Sequence, residues 1–248
     1  MRYLVLSDLH ANLEATEAVL AAAADLRADR TLVLGDLVGY GPDPVAVLVR
    51  VLSLPRATVI RGNHDRVAAG LTSDDEFNPH AQTAIRWTAR QLTPDTLRVL
   101  SALPMGPMII DADVQICHGS PRNEDTYVFT AKDAEFAGQA ATRRVCLFGH
   151  THVAGAFGRS ADAAQLVAPR GTAPLTVTLA GTAAWMINPG SVGQPRDGDW
   201  RAAFALLDTT ANTCDLHRVE YDAAETRRKM RAAELPPILI SRIGPDSR

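Results

Sequence analysis

The chain has 248 residues, 46% hydrophobic and 5% aromatic, with 25 basic against 28 acidic side chains for a net charge of −3. That apolar fraction supports a sizeable core and excludes disorder or a collagen-like repeat, and the length suits one layered α/β domain spanning 1–248. The charge balance argues against a dedicated nucleic-acid surface or a membrane-surface protein. All basic residues except Lys132 and Lys229 are arginine, so any single arginine is weak functional evidence.

Residues 3–6 (YLVL) predict a strand, and Asn12 is placed to cap the Ala-rich helix that follows. A second strand at 31–34 leads into GDLVGYGPDP, a loop punctuated by three Gly and two Pro. A helix at about 44–53 and a strand at 58–60 precede RGNHD. Residues 79–102 predict one or two helices, with Pro94 in the first turn of the second. Strands around 107–117 and at 145–148 flank a helix at about 131–142. From 153 to 221 the pattern changes to short strands, at 153–158, 165–168, 174–179, 184–188, 201–209 and 213–221, which read as a mostly antiparallel sheet. A helix at about 222–234 follows, and residues 235–248 read as a tail or a dimer contact. One domain built on two sheets is expected.

Cys117, Cys146 and Cys214 are odd in number and carry no CxxC, which argues against a disulfide framework or a zinc knot. The N-terminal apolar run is too short for a signal peptide or a membrane span, so a cytoplasmic protein is expected.

Five of these strands run straight into a loop bearing a metal-capable side chain. The first leads to Asp8 and His10, the second to Asp36, and the third to Asn63, His64 and Asp65. The later two lead to His118 and to His150 and His152. Strand carboxyl ends share one rim in open α/β sheets, so five such loops amount to a site. Carboxylate, imidazole and amide donors without a thiolate suit Mn²⁺, Fe²⁺, Zn²⁺ or Mg²⁺. Two Asp, one Asn and four His exceed what one tetrahedral centre uses, so two ions sharing a carboxylate is the economical arrangement. Two dications outweigh two Asp and a hydroxide, and the residual positive charge favours an anionic phosphate.

In order and spelling, DLH (8–10), GD (35–36), GNHD (62–65), HGS (118–120) and GHTH (149–152) resemble the motifs of the calcineurin-like metallophosphoesterases. The strings GDLVGYGPDP and NPGSVGQPRDG resemble the small bacterial phosphodiesterase branch of that family. The resemblance implies a four-layer αββα sandwich, two mixed sheets flanked by helices, with a dimetal site at the rim. It implies that Asp8, His10, Asp36 and His152 hold one metal, and that Asp36 bridges to a second held by Asn63, His118 and His150. The ions would be Mn²⁺ first, with Fe, Zn, Mg or Ni as alternatives. A metal-bridged hydroxide would attack phosphorus, His64 would protonate the leaving group, and Asp65 would orient His64 and keep it protonated.

The substrate so implied is a small nucleotide, cyclic-nucleotide or aryl phosphodiester. The alternatives are a phosphomonoesterase or protein phosphatase, or a non-catalytic scaffold of the same fold that docks partners, such as members resembling a retromer subunit. The scaffold is disfavoured by the presence of His64, and the protein phosphatase by GDLVGYG and GNHD in place of GDxVDRG and GNHE. Ala11 stands where the family commonly has Gly.

Among residues outside the ligand set, Tyr40 could stack on a base or pack the turn, and Arg122 and Arg196 could reach a phosphate or serve a structural or surface role. Cys117 should point opposite to His118 and belong to the core. His80 and His217 read as surface or packing residues, and Arg227, Arg228, Lys229 and Arg231 as a solvated helix face. A homodimer is compatible with this reading.

Overall fold

The computed structural model describes residues 1–159, 164–167, 175–179 and 184–244. In chain order the elements are β1 (Arg2–Leu6), α1 (Leu13–Ala23), β2 (Arg30–Val33), α2 (Pro44–Leu52), β3 (Ala57–Val59), α3 (Asn63–Ala68), α4 (Pro79–Gln91) and α5 (Pro94–Ser101). Next come β4 (Met108–Ile109), β5 (Val114–Ile116), α6 (Ala131–Gly138), β6 (Val145–Leu147), β7 (Gly155–Arg159), β8 (Ala164–Val167) and β9 (Leu175–Thr178). The chain continues through β10 (Ala184–Asn188), β11 (Ala202–Asp208), β12 (Thr213–Val219), α7 (Ala223–Ala232) and α8 (Pro237–Ile240).

Local chemistry sets several boundaries. Asn12 Oδ1 accepts the amide of Ala15 at 3.1 Å and starts α1 where the capping pattern predicts. Pro94 is the first residue of α5, capped by Thr93, so residues 79–102 form two helices. The short helix α3 has no apolar periodicity to betray it and begins on Asn63 itself.

The strands form two six-stranded mixed sheets, ordered β3-β2-β1-β11-β12-β9 and β4-β5-β6-β10-β7-β8. The late strands do not make the separate antiparallel sheet that the sequence suggests. Instead, β11 pairs antiparallel with β1, while β10 pairs parallel with β6. Period-two patterning marks a strand without naming its neighbour, so these long-range pairings are invisible in it.

Alternation along β1 builds the layers. Tyr3 and Val5 enter the core between the sheets with Leu32, Ile116, Leu147 and Ile187. Leu4 and Leu6 point the other way, against Val19 of α1 and Val47 and Leu48 of α2. On the outer face of the second sheet, Cys117, Cys146, Phe148 and Met186 pack under Ala134 and Ala137 of α6. The result is the αββα sandwich. As expected, Cys117 is core and faces away from the rim.

Helix α7 departs from the expected solvated face. Arg227 is buried and donates from Nη1 to the Gly244 carbonyl at 3.0 Å. Lys229 bonds Asp43 at 3.0 Å and also Glu14, while Arg228 stays outside on Glu225. Two acidic partners on α1 and the Asp43 loop lie under this helix, which a one-dimensional charge run cannot show. The segment after α7 is built into the structure: Leu235, Leu239, Ile240 and Ile243 pack with Tyr40, Ala84 and Met230. Residues 245–248 lie outside the described range. Among the described residues, no helix is long and apolar enough to cross a membrane.

Candidate metal centre

The parallel strands β1, β2 and β3 deliver Asp8, Asp36 and Asn63 to one rim, and β5 and β6 deliver His118, His150 and His152 to the facing rim. All seven expected ligands are buried. Asp8, His10, Asp36 and His152 each place a donor atom within 4.8 Å of the others, and Asp36, His118 and His150 do the same. Asp36 belongs to both groups. Its Oδ1 accepts the His64 amide at 2.9 Å, while Oδ2 faces His10 Nε2 at 3.5 Å and His118 Nε2 at 3.4 Å. Asp8 Oδ1 lies 3.4 Å from His152 Nε2, and Asn63 Oδ1 lies 3.1 Å from His118 Nε2.

The rings are aimed by backbone carbonyls. Nδ1–H donates to Val38 O from His10 (3.1 Å), to Leu34 O from His118 (2.8 Å) and to Gln194 O from His152 (2.6 Å), which leaves Nε2 of each as a donor atom for a cation. His150 is turned around: its Nε2 donates to Asp125 O at 3.2 Å, freeing Nδ1. Sequence reasoning missed these acceptors, because a carbonyl carries no residue signature.

A sixth strand end completes the rim. At the end of β10, Asn188 Nδ2 donates to Gly149 O at 2.8 Å and Thr151 Oγ1 at 2.9 Å, and just beyond it Ser191 Oγ donates to Asp8 O at 2.8 Å. This loop ties the two sheets together at the ligands. The NPGSVGQP string, which carries part of the family resemblance, is its sequence signal.

Two glycines are required by close approach. A Cβ on Gly62 would sit 2.5 Å from Asp36 N and 2.8 Å from its Cγ, and one on Gly149 would sit 2.8 Å from Asp8 Oδ2. The ligands themselves pay no such regard to comfort: Asp8, His10, Asp36, His150 and His152 all have φ between +47° and +66°. Each left-handed L-residue costs roughly 1–2 kcal/mol, and such strain gathers at functional sites. Ala11 is also left-handed, at φ 52°, which accounts for the Gly common there.

The protonation pattern fits cation binding. Burial and the Asp36 charge push Asp8 up to about 6. Burial lowers His64 to about 4 and His150 to about 3, and holds His10 and His152 well below the ordinary imidazole value. His118 loses charge stability by burial, but Asp36 and Asp8 outweigh this and raise it to about 10. Two buried carboxylates facing mostly neutral imidazoles form a donor set that fits divalent metal ions.

His64 stands beside this cluster, its ring between Tyr40 (4.4 Å), Phe77 (4.6 Å) and His10 (4.9 Å). Its Nδ1 is buried without a hydrogen bond. Asp65 does not orient it. The Asp65 carboxylate accepts the amides of Leu37 (2.9 Å), Val38 (3.1 Å) and Gly62 (2.9 Å), so it pins the loop that carries Asp36.

Of its two readings, Tyr40 takes the packing one. Its ring is buried, flanked by His10 and His64, with the Arg196 guanidinium 5.6 Å from its centroid, so it buttresses the site and has no face to offer a base. Arg196 itself is exposed at the mouth. Arg122 lies apart from the ligands, donating to Phe136 O at 3.2 Å on α6. His80 is exposed, and His217 stacks on Phe204 at 4.8 Å.

Comparison with known proteins agrees with this geometry. Residues 1–212 match the model of the calcineurin-like phosphoesterase superfamily domain. An uncharacterized protein of Methanocaldococcus jannaschii is 31% identical over 245 residues, 96% of each chain. A crystal structure of a metallophosphoesterase from Sphaerobacter thermophilus is 40% identical, with a TM-score of 0.86 and 98% of both chains covered. A hypothetical protein from Pyrococcus horikoshii OT3 shares the fold at 20% identity, with a TM-score of 0.79 over 100% of this chain and 99% of that one.

Proposed function

Since this chain belongs to the calcineurin-like phosphoesterase superfamily, we propose that it is a two-metal phosphodiesterase acting on small organic phosphodiesters. The observation that carries this reading is Asp36 Oδ2, which faces one histidine of each donor group at 3.4–3.5 Å and so can be shared between two ions. Bound there, two divalent ions supply Lewis acidity to a phosphoryl oxygen and a nucleophile from water at neutral pH. Mn²⁺ is the ion to try first because the family resemblance implies it; the mixed carboxylate, amide and imidazole donors also suit Fe, Zn or Ni.

The chain's own groups divide the remaining work. Asp8, His10 and His152 would hold one ion and Asn63, His118 and His150 the other, with Asp36 available to both. His64, wedged between Tyr40 and Phe77 beside His10, is held neutral by burial, so the negative charge of an incoming phosphate must raise its basicity before it can protonate the departing alkoxide. Arg196 at the mouth grips a phosphate oxygen. Asp65 acts on the Asp36 loop and so is a positioning residue. A diester is favoured over a monoester because Tyr127, stacked on the His150 ring, also lines a neighbouring cleft of about 460 Å³, which gives a second ester arm a place to lie.

The test combines metal content with turnover. Protein loaded with Mn²⁺ is expected to retain about two ions per chain and to hydrolyse bis(p-nitrophenyl) phosphate faster than p-nitrophenyl phosphate. Retention of one ion or none, or a preference for the monoester, refutes the reading. His64→Ala is expected to slow esters with poor leaving groups far more than those with good ones; equal losses would remove His64 as the proton donor.

A further inference from the structure

His150 is aimed differently from the other three histidines of the donor set. They donate from Nδ1, whereas His150 donates from Nε2, to the Asp125 carbonyl at 3.2 Å. A ring that lost this bond could take the other tautomer and turn an N–H toward the cation in place of a lone pair. Whatever holds Asp125 O in place therefore decides what His150 can bind.

Asp125 lies between β5 and α6, in a stretch with no helix or strand to hold it. The backbone doubles back over Gly119, where an added Cβ would stand 2.5 Å from Glu124 O. Two arginines from the far side of the site then pin the loop. Arg61, just beyond β3, reaches Glu124 from Nε at 3.3 Å and from Nη2 at 3.2 Å. Arg66 of α3 bonds Glu124 from Nη1 and both Asp125 oxygens from Nη2, at 3.0 and 3.1 Å. Glu124 is buried, so its two cations are partners it cannot trade for water. The arginines bracket Asn63, which is assigned to the same ion as His150. Farther along the loop, Tyr127 lies on the His150 ring at 4.0 Å and Phe129 on Tyr127 at 5.3 Å. The segment that aims the ring thus also covers it.

We propose that the Arg61–Glu124–Arg66–Asp125 network is the positioning device of the second metal site. Arg66 keeps the Asp125 carbonyl on His150 Nε2, and so fixes the ring direction and tautomer on which retention of the second ion depends. The proposal rests on the two-ion reading for the identity of what His150 binds.

The experiment compares full-length wild type with Arg66→Ala and Asp125→Ala by two readouts. The first is a calorimetric titration with Mn²⁺. Loss of an outer partner of a metal ligand weakens binding by about 10- to 100-fold, and that loss is expected for the second ion in both variants, with the first ion bound as before. The two substitutions remove opposite charges, so Coulomb attraction alone would strengthen binding in Arg66→Ala and weaken it in Asp125→Ala. A shared loss therefore reports geometry. In the double variant the loss is expected to be no greater than in either single one, because each already breaks the same fork. The second readout is the nitrogen shifts of isotope-labelled histidine in chelated protein, with His150 assigned by its absence in His150→Gln. The wild type is expected to show His150 as the Nε2–H tautomer alone, and both variants a mixture.

Equal weakening of both ions, effects of opposite sign in the two variants, or a His150 tautomer unchanged in both overturns the network. If the wild type itself retains one ion or none, the two-ion reading falls, and the tautomer decides the positioning role without it: a shift in both variants supports that role, and no shift overturns it.

Discussion

Replacing Gly62 by alanine adds one methyl group aimed at Asp36. The backbone at Gly62 has φ −106°, which any L-residue adopts, so the substitution carries no conformational penalty of its own. The new Cβ would stand 2.8 Å from Asp36 Cγ, against ordinary carbon contacts of about 3.5–4.0 Å. The carboxylate must then retreat by about 1 Å, twice the tolerance of roughly 0.5 Å within which a site keeps its geometry. The retreat also loosens the 2.9 Å bond from the His64 amide, and a bond to a charged acceptor is worth about 1.5–3 kcal/mol. A displacement of that size costs about 100-fold in rate. Metal content after dialysis against Mn²⁺, together with kcat, is the assay, and Gly70→Ala is the control. Gly70 has φ +70° and nothing within 4 Å of an added Cβ, so alanine there carries backbone strain without touching the site. The expectation is that Gly62→Ala loses at least one ion and about 100-fold in turnover, while Gly70→Ala keeps both ions. Full metal content and turnover in Gly62→Ala would refute the placement of Asp36 as the shared ligand.

Acid should destabilise the metal-free chain: His64 at about 4 and His150 at about 3 stay neutral when folded, whereas unfolded histidines take protons below about 6.5. Each such histidine removes about 1.4 kcal/mol per pH unit from 6.5 down to its folded value. Asp8, raised to about 6, and Asp65, raised to about 7, each return a similar amount per unit between those values and their ordinary 3.8, while His10 and His152, held well below the imidazole value, add two further losses and His118 adds no change below 6.5. Melting temperatures of chelated protein should therefore fall from pH 6.5 to 5, and a flat or rising profile would contradict the buried neutral imidazoles. Asp65→Asn should cost about 2 kcal/mol in urea unfolding, since an amide cannot accept all three backbone N–H groups, with the leaving-group sensitivity due to His64 preserved; loss of that sensitivity would restore a direct link between the two side chains. Lys229→Met should lower the melting temperature by detaching α7 from Glu14 and Asp43, and should leave metal content at two ions; a change in metal content would show that α7 reaches the site.

Much of the site was legible because its donors sit where strands end, and a short apolar run followed by Asp or His is a local signal. Asp8, Asp36 and His118 needed nothing more. What stayed hidden was relational. Asp65 looks like a partner for its neighbour His64, yet in α3 adjacent side chains diverge, and its carboxylate faces the Asp36 loop instead. Tyr40 looked like a surface for a base until His10 and His64 were seen packed against it. Tyr127 and Phe129 drew no notice, because an exposed aromatic pair acquires meaning only from the His150 ring beneath it. The fold followed the same division. Helix starts at Asn12 and Pro94 were readable from capping chemistry, whereas the insertion of β11 beside β1 depends on residues about 200 positions apart that no local pattern connects.

The left-handed backbone at five of the proposed metal ligands has a consequence for how this chain can change. Glycine at any of those positions would relieve the strained dihedral and, at Asp8, would also remove a buried carboxylate whose charge is disfavoured there, whereas at Asp36 it would strip His118 of the partner that holds its charge. Substitutions that delete the chemistry are thus among those that ease the fold in the absence of metal. Screening such a library for heat resistance alone would enrich inactive proteins, and only a screen coupled to metal or turnover would keep the ligands. The centre is maintained against the preference of its own backbone.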